Sequence, residues 1–410
     1  MSPSIVVTGL GTFGAYGGGA ADLRRALESS EPPWSLLAEI DNSAGFHLSR
    51  AACRAFLVDP ALLREWLSPA EARRMSPPSK LAVAAARMAL RDGGLDGSLP
   101  DEQAGVAIAT AFGPASYSEG LLRQILLEGP EAASPLLFTE SVANAPAAQI
   151  AILTRARGPS VTICQREAGA LLAVAQGAAD IAAGRVPVSL AGTVDEMTPL
   201  LHSLLDRFGT LARNGGPGGM AIARPLDRRR SGFLAAEGAT MLLLEEEENA
   251  RRRGATPVAR IVAWGSAFDP TAPAAGWGTG HESLARVLRR SLERSGVPLA
   301  SIDRIVVGAS GSRGGDRLEA RMVRDAWGEV VLPPVLAPKS VTGEYGGGFL
   351  AATVLAAAGA SFGPAAGFEE SDPELGVVPH DGSRLAPPST VLVTSVAVGG
   401  AASWLVLGAP

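Results

Sequence analysis

The chain has 410 residues and a mass of 41.8 kDa, which is enough for two domains or for one large double-layered domain. Hydrophobic residues make up 47% of the chain and charged residues 19%, a balance that excludes a disordered protein. The net charge is −5 and no basic patch stands out, which argues against nucleic-acid binding. Cys53 and Cys164, the two cysteines, form no C-x-x-C pattern, so we expect neither a metal site nor a cofactor.

Targeting and membrane signals are weak in this sequence. Residues 1–11 lack both the basic and the apolar segment of a signal peptide, so we expect a cytoplasmic protein. One uncharged stretch, residues 346–368, is long enough to span a bilayer. It is rich in Ala and Gly and is interrupted by Pro364, so we predict a helix buried within the fold and no contact with a membrane.

Short β-rich segments alternate with helical ones along the chain, which predicts an α/β architecture. The first part is predicted to hold strands at 4–10, 105–111, 160–164 and 188–191, and helices at 20–27, 80–92, 145–154 and 168–183. Strands at 239–245 and 259–265 are predicted to form an antiparallel pair around a charged helix at 246–253. Helices then follow at 282–295, 316–327 and 347–358, with strands at 305–309, 390–395 and 402–407. We interpret this as two similar halves, residues 1–253 and 254–410.

Outside this pattern, the sequence has few motifs that indicate a chemistry. Gly9 and Gly11 open like a dinucleotide-binding fingerprint, but the third glycine is misplaced and no acidic residue follows at a second strand. No phosphate-binding P-loop, H-E-x-x-H or G-x-S-x-G motif is present. The residue pattern alone therefore predicts an α/β protein and leaves its function open.

Five motifs in chain order resemble those of the ketosynthases of fatty-acid and type II polyketide synthesis. They are 6–11 (VVTGLG), 134–138 (SPLLF), 223–227 (ARPLD), 339–343 (KSVTG) and 393–400 (VTSVAVGG). The resemblance covers nearly the whole chain. It implies the thiolase fold, in which two similar α/β halves with mixed sheets stack as a five-layer αβαβα sandwich, and it implies a dimer.

The resemblance also defines three catalytic positions, and this sequence replaces all three. The family's nucleophile is a cysteine at a strand-to-helix turn, where the helix N-terminus lowers its pKa. Glu167 falls at that position, nine residues after Gly158. The family's two histidines stabilise an enolate oxygen; Ser310 and Glu344 stand in their places.

These replacements predict a chain without condensing activity. A carboxylate holds no stable thioester, and an ionised Glu344 cannot donate a hydrogen bond to an enolate oxygen. Lys339 is retained, and Val398 stands where the family has a gating phenylalanine. Cys164 is the only thiol near the nucleophile position, and we expect it to be a buried structural cysteine at the end of the preceding strand.

A framework without its catalytic triad resembles a chain-length factor, the inactive subunit that pairs with an active ketosynthase in type II polyketide systems. The resemblance implies a heterodimer, an acyl carrier protein as a further partner, and a contribution of segment 134–144 to the partner's acyl tunnel. Leu136, Leu137, Phe138 and Val398 are therefore candidate tunnel or interface residues. The acidic replacements suggest a divergent subgroup, such as those of polyene biosynthesis.

Two readings remain open beside this pseudoenzyme hypothesis. In one, the chain is an enzyme that uses Glu167, Glu344 and Ser310 on a substrate bound to an acyl carrier protein. Two close carboxylates would then raise the pKa of one of them, as general acid–base catalysis requires. In the other, Arg166 or Lys339 neutralises the carboxylates, which only bridge structural elements.

Overall fold

The computed structural model describes residues 3–29, 33–40, 54–95, 99, 103–213 and 220–410, so Cys53 lies outside the described residues. The strands of the main sheet are β1 Ile5–Gly14, β2 Gly105–Ala109, β3 Ser160–Ile163, β4 Val188–Asp195, β5 Gly238–Glu246, β6 Ala259–Phe268, β7 Arg304–Val307, β8 Val335–Leu336, β9 Thr390–Val396 and β10 Ala401–Gly408. A two-residue strand, Gly17–Gly18, folds back on β1, and Ala38–Glu39 pairs with Arg54–Ala55.

The longer helices are α1 Ala20–Glu28, α2 Pro77–Asp92, α3 Ala115–Glu128, α4 Pro135–Ser141, α5 Ala145–Thr154, α6 Gly169–Ala182, α7 Pro199–Arg207, α8 His281–Arg294, α9 Arg313–Trp327 and α10 Leu350–Ala357. Short helical turns cover Pro33–Leu36, Pro60–Leu63, Pro69–Ala72, Pro130–Ala132, Arg166–Ala168, Glu247–Arg252, Leu299–Ser301 and Lys339–Thr342. The predicted alternation of strands and helices is therefore confirmed, with shifts of a few residues at the element ends.

Two sets of five strands have the same order and the same directions. In the described chain the order is β1-β5-β4-β2-β3 in the first set and β6-β10-β9-β7-β8 in the second. In each set the first two pairs of neighbouring strands are antiparallel and the last two pairs are parallel. The sets join where Ile5–Val7 of β1 pairs with residues 259–261 of β6. This repeated topology agrees with two similar halves.

The helices divide into three layers around these two sets of strands, which we call the first and the second sheet. The central hydrophobic cluster contains the buried faces of α6 and α10 together with residues of β1, β6 and β9. A second cluster packs α2 and α5 on the outer face of the first sheet, and a third packs α8 and α9 on the second sheet. The layers therefore run helix, sheet, helix, sheet, helix, which is the predicted αβαβα thiolase fold.

One predicted strand pair is wrong. Residues 239–245 and 259–265 are strands, as expected, but they do not pair with each other, because β1 lies between β5 and β6. All ten residues of β1 are buried, so this strand gains more by lying inside the sheet than at its edge. The charged turn Glu247–Arg252 therefore connects the two halves and does not close a hairpin.

Helices α3, α4 and α7 were not expected from the sequence. None of the fourteen residues of α3 is buried, so its apolar residues, such as Leu126 and Leu127, do not form a face that packs into the core. The uncharged stretch 346–368 behaves as predicted, since α10 is buried along its whole length. Within the described ranges, no single helix has the length and hydropathy to cross a membrane; only α4 and α5 taken together, across a bend of 97°, meet that criterion.

Candidate functional site

A cavity of about 610 Å³ opens at the carboxyl ends of the central strands. Its wall is largely apolar and is formed by Leu201 and Leu204 of α7 and by Phe208 just after it, together with Phe233 and Trp277. Polar groups lie at the inner end, where Glu167, Glu344 and the backbone of Val398 line the same cavity. The volume and the combination of an apolar wall with a few polar groups are typical of small-molecule sites.

Glu167 lies on the helical turn that precedes α6, which is the predicted nucleophile position. The backbone N–H of Val398 donates a hydrogen bond to Glu167 Oε2 at 3.2 Å. The turn is fixed to the last two strands, because Ser395 Oγ donates to the Glu167 carbonyl at 2.8 Å and Ser403 Oγ to the Ala168 carbonyl at 3.1 Å. The preceding residue, Arg166, has φ 42°, a strained value of the kind that concentrates at functional turns.

Glu344 lies across the cavity from this turn and is paired with Lys339. Lys339 Nζ donates to Glu344 Oε2 at 2.5 Å, and both residues are buried. The ammonium also lies 4.7 Å from the centre of the Phe349 ring, a favourable cation–π position. Backbone hydrogen bonds with Leu234 and Ala236 hold Glu344 in place. The expectation that Lys339 neutralises a carboxylate is therefore confirmed for Glu344.

The pKa of Glu167 is raised to about 7. Burial is the largest cause, because it disfavours the charged carboxylate, and the negative charge of Glu344 adds to it. The hydrogen bond from Val398 and the charge of Lys339 act in the opposite direction but do not cancel the rise. Glu167 therefore binds a proton at a higher pH than an ordinary glutamic acid does.

Ser310 is not brought into the cavity wall. It is buried, and its backbone N–H donates to Asp316 Oδ1 at 3.0 Å. Asp316 also accepts hydrogen bonds from the backbone N–H groups of Gly311 and Leu226, and burial raises its pKa to about 6. Of the three replaced catalytic positions, the structure therefore brings together Glu167 and Glu344 and leaves Ser310 behind the wall.

Comparison with known proteins agrees with this geometry. The model of the beta-ketoacyl synthase N-terminal domain matches residues 3–250, and that of the beta-ketoacyl synthase C-terminal domain matches residues 258–360. The chain belongs to the beta-ketoacyl synthase family. Residues 3–250 alone are more than half of the chain, and the two matched segments follow each other in the order of the two similar halves.

Relatives in this family include polyketide synthase subunits and 3-oxoacyl-[acyl-carrier-protein] synthases. The chain is 30% identical to the tetracenomycin polyketide synthase ketoacyl synthase alpha subunit of Streptomyces glaucescens, over 99% of this chain and 97% of the relative. It is 28% identical to 3-oxoacyl-[acyl-carrier-protein] synthase 2 of Coxiella burnetii, over 98% of both chains. Among solved structures, the ishigamide ketosynthase/chain length factor superposes with a TM-score of 0.87 at 28% identity, with full coverage of both chains.

The predicted tunnel residues divide into two groups in this member of the family. Val398 lines the chain's own cavity. Leu136 and Phe138 lie on α4 and are 42% and 61% exposed, while Leu137 is half-buried against α3. None of Leu136, Leu137 and Phe138 lines this chain's cavity, and Leu136 and Phe138 lie on a surface where another chain can contact them.

Cys164 is not the buried cysteine that we expected. It is exposed, just beyond the end of β3. The reason is the position of β3, which is the outermost strand of its set and pairs on one side with β2 in the described chain. A strand at a sheet edge leaves the residues around it open to solvent or to a partner.

Asp195 is a site residue that sequence reasoning missed. It accepts hydrogen bonds from Thr110 Oγ1 at 2.6 Å and from the backbone N–H groups of Ala111 and Phe112, both of which line the cavity. Burial raises its pKa to about 6. Gly346 passes beside it with φ 58°, and a Cβ there would lie 2.6 Å from Asp195 Oδ2. Its place at the carboxyl end of a buried strand was the signal available in the sequence.

The charged groups of the cavity limit the chemistry that it can perform. A carboxylic acid near its pKa can donate or accept a proton, and Glu167 is such a group. Neither Glu167 nor Glu344 can form a durable thioester, and the cavity floor offers no thiol or imidazole among the described residues. Elsewhere in the described chain, no cluster of three or more His, Cys, Asp or Glu residues is placed to hold a metal ion.

Proposed function

We propose that this chain is a non-catalytic partner subunit of a ketosynthase of the type II polyketide class, acting in the cytoplasm as a chain-length factor. The main support is the pair of carboxylates at the cavity floor. At the nucleophile position, a carboxylate accepts the Val398 N–H, and at the second histidine position a carboxylate is paired with Lys339. Condensation needs a thiolate at the nucleophile position, where this chain has Glu167. It needs a hydrogen-bond donor at the second histidine position, where this chain has Glu344.

An exposed apolar surface supports the pairing role. Leu126 and Leu127 of α3 are 79% and 74% exposed, and Ile152 of α5 is 68% exposed, close in the chain to Phe138 of α4. Helix α3 packs against α4, so their exposed apolar side chains lie on neighbouring elements, and exposed apolar surfaces often mark protein–protein interfaces. In the proposed heterodimer this surface contacts the active ketosynthase, and α4 contributes to the end of that subunit's acyl tunnel.

The acyl carrier protein is the second proposed partner, and we expect it to dock mainly on the active subunit. The two arginine runs of this chain, 228–230 and 251–253, are candidate basic patches for an acidic carrier protein. Arg228 and Arg230 are paired with Glu370 and Asp372, and Arg253 is paired with Glu245. These runs therefore connect parts of the chain itself, and reversing one of their exposed charges should not change carrier-protein binding.

Co-expression tests the pairing role. We would produce the chain together with an intact ketosynthase encoded beside its gene and determine the composition of the purified complex by native mass spectrometry. The proposal predicts a one-to-one heterodimer. A chain that stays a monomer or homodimer in the presence of such an enzyme contradicts it.

A matched pair of variants locates the interface. Phe138→Ser should weaken the heterodimer, because Phe138 is an exposed aromatic residue on the proposed contact surface. Val331→Ser is the control, since Val331 is 86% exposed on the other half of the chain. Equal loss of complex with both variants, or no loss with Phe138→Ser, contradicts this placement of the interface.

A second function is favoured by one observation, the raised pKa of Glu167 beside Glu344. A carboxyl group that titrates near pH 7 suits a general acid or base, so a rebuilt enzyme acting on acyl-carrier-protein thioesters is the alternative. A turnover assay on such thioesters with the wild type and Glu167→Gln separates the two functions. Product formation that disappears in Glu167→Gln supports the enzyme, and unchanged output removes its catalytic base.

A further inference from the structure

The cavity of this chain has a charge distribution that selects a particular kind of ligand. Its wall is apolar, and its volume of about 610 Å³ lies within the usual range for small-molecule sites. The inner end carries two carboxylates, Glu167 and Glu344. An apolar chain that enters the cavity therefore places its terminal atoms beside these two groups.

The floor of the cavity has more negative than positive charge. Among the described residues at the floor, Lys339 is the buried cation, and its ammonium is already bound to Glu344. Glu167 is held by a neutral donor, the backbone N–H of Val398. Asp195 adds a further buried carboxylate nearby, and its hydrogen bonds come from a hydroxyl and from backbone N–H groups. Among the described residues, no cation is hydrogen-bonded to Glu167, and the charge of Lys339 acts on it only through space because Lys339 is bound to Glu344.

The other cations of the cavity lie at its rim. Arg166, Arg213 and Arg313 line the cavity but are exposed. Arg313 Nε donates to the carbonyl of Arg230, which holds its guanidinium away from the floor. Their charges are screened by water, so they compensate a buried carboxylate poorly. The cavity is consequently basic at its mouth and acidic at its inner end.

We propose that this cavity is a binding site for an apolar chain that ends in a primary ammonium group, which lies against Glu167 at the cavity floor. The ammonium supplies the missing positive charge and three hydrogen-bond donors. A carboxylate of the same length is rejected, because it would lie beside Glu167 and Glu344 and all three groups are negative. The proposal goes beyond the pairing role and does not depend on it.

Decylamine, decanol and decanoate are suitable probes because they share one apolar chain and differ in the head group. Isothermal titration calorimetry of the full chain at pH 8 should show decylamine binding at least about tenfold more tightly than decanol, the size expected for one partly buried charge pair. Decanoate should bind more weakly than decanol. The proposal is overturned if decanoate binds as tightly as decanol or more tightly, or if decylamine does not bind measurably. This test uses only the wild-type chain.

Two variants assign the preference to one carboxyl group. Glu167→Gln keeps the shape of the side chain and removes its charge, so the preference for decylamine over decanol should disappear. Glu329→Gln is the control, because Glu329 is an exposed acid in the loop after α9. A preference that survives Glu167→Gln unchanged, or that is lost equally in Glu329→Gln, contradicts the assignment.

The pH dependence gives an independent measurement. An alkylammonium group keeps its proton up to about pH 10, whereas Glu167 must lose its proton to attract it. Decylamine affinity should therefore rise between about pH 6 and pH 8 in the wild type and stay level in Glu167→Gln. A wild-type affinity that is flat or falls over this range overturns the proposal. Heterodimer formation, measured separately, is unaffected by either result.

Discussion

The two carboxylates at the cavity floor differ in the partners that hold them. Glu344 is 6% exposed and is bound to the buried ammonium of Lys339. Glu167 is half-buried, accepts one backbone N–H and has a pKa raised to about 7. The charge of Glu344 is thus compensated inside the protein, whereas that of Glu167 is open to the cavity. We infer that Glu344 stabilises the fold and that Glu167 responds to pH and to what the cavity contains.

The largest expected effect is a loss of stability when Glu344, the compensated carboxylate, loses its cation. Lys339→Met leaves Glu344 as a buried charge without a cation, which should lower the free energy of unfolding by roughly 3–5 kcal/mol. Adding Glu344→Gln to this variant should restore most of the loss, because the uncompensated charge is then gone. Urea unfolding of the three proteins measures both steps. A double variant as unstable as Lys339→Met would show that the pair is held by packing and not by charge.

The open carboxylate should instead make stability depend on pH. Since the pKa of Glu167 is about 7 in the folded chain and near 4.5 when unfolded, the folded state binds more protons between these values. Its contribution is fully present below about pH 4.5 and is lost as the pH rises through 7. Relative to Glu167→Gln, the wild type should therefore lose roughly 1–3 kcal/mol from pH 5 to pH 8.

Thermal unfolding at several pH values measures this difference. Other buried acids, such as Glu319 with a pKa raised to about 8 by burial, contribute in both proteins and cancel in the comparison. Identical pH profiles for the wild type and Glu167→Gln would mean that Glu167 is as well compensated as Glu344, and the contrast between the two groups would fail.

The smallest effect concerns the turn that carries Glu167. Ser395→Ala removes the hydroxyl that donates to the Glu167 carbonyl, which should lower the free energy of unfolding by about 1 kcal/mol. The pH dependence assigned to Glu167 should remain, because its carboxyl group keeps the Val398 N–H. Loss of that pH dependence in Ser395→Ala would show that the position of the turn, and not the carboxyl environment, controls the titration.

The sequence allowed prediction of most local elements and of the identity of the cavity floor. Helix α5 begins and ends at the predicted residues, because a helix depends on local periodicity. Glu167 lies on the turn just before α6, where the resemblance to the ketosynthases predicted the nucleophile position. The pairing of β5 with β6 was wrong, since strand pairing depends on contacts between distant parts of the chain. The exposure of Cys164 and the withdrawal of Ser310 behind the wall were missed for the same reason.

Glu167→Cys tests the central claim, that this chain does not condense acyl groups by itself. The variant would be purified alone and given an acyl thioester and malonyl carrier protein, and mass spectrometry would follow both the new thiol and the carrier-bound products. We predict acylation of the thiol without elongation, because Ser310 lies behind the wall and Glu344 is bound to Lys339, so neither donates to an enolate oxygen. Efficient formation of the elongated product would contradict the account.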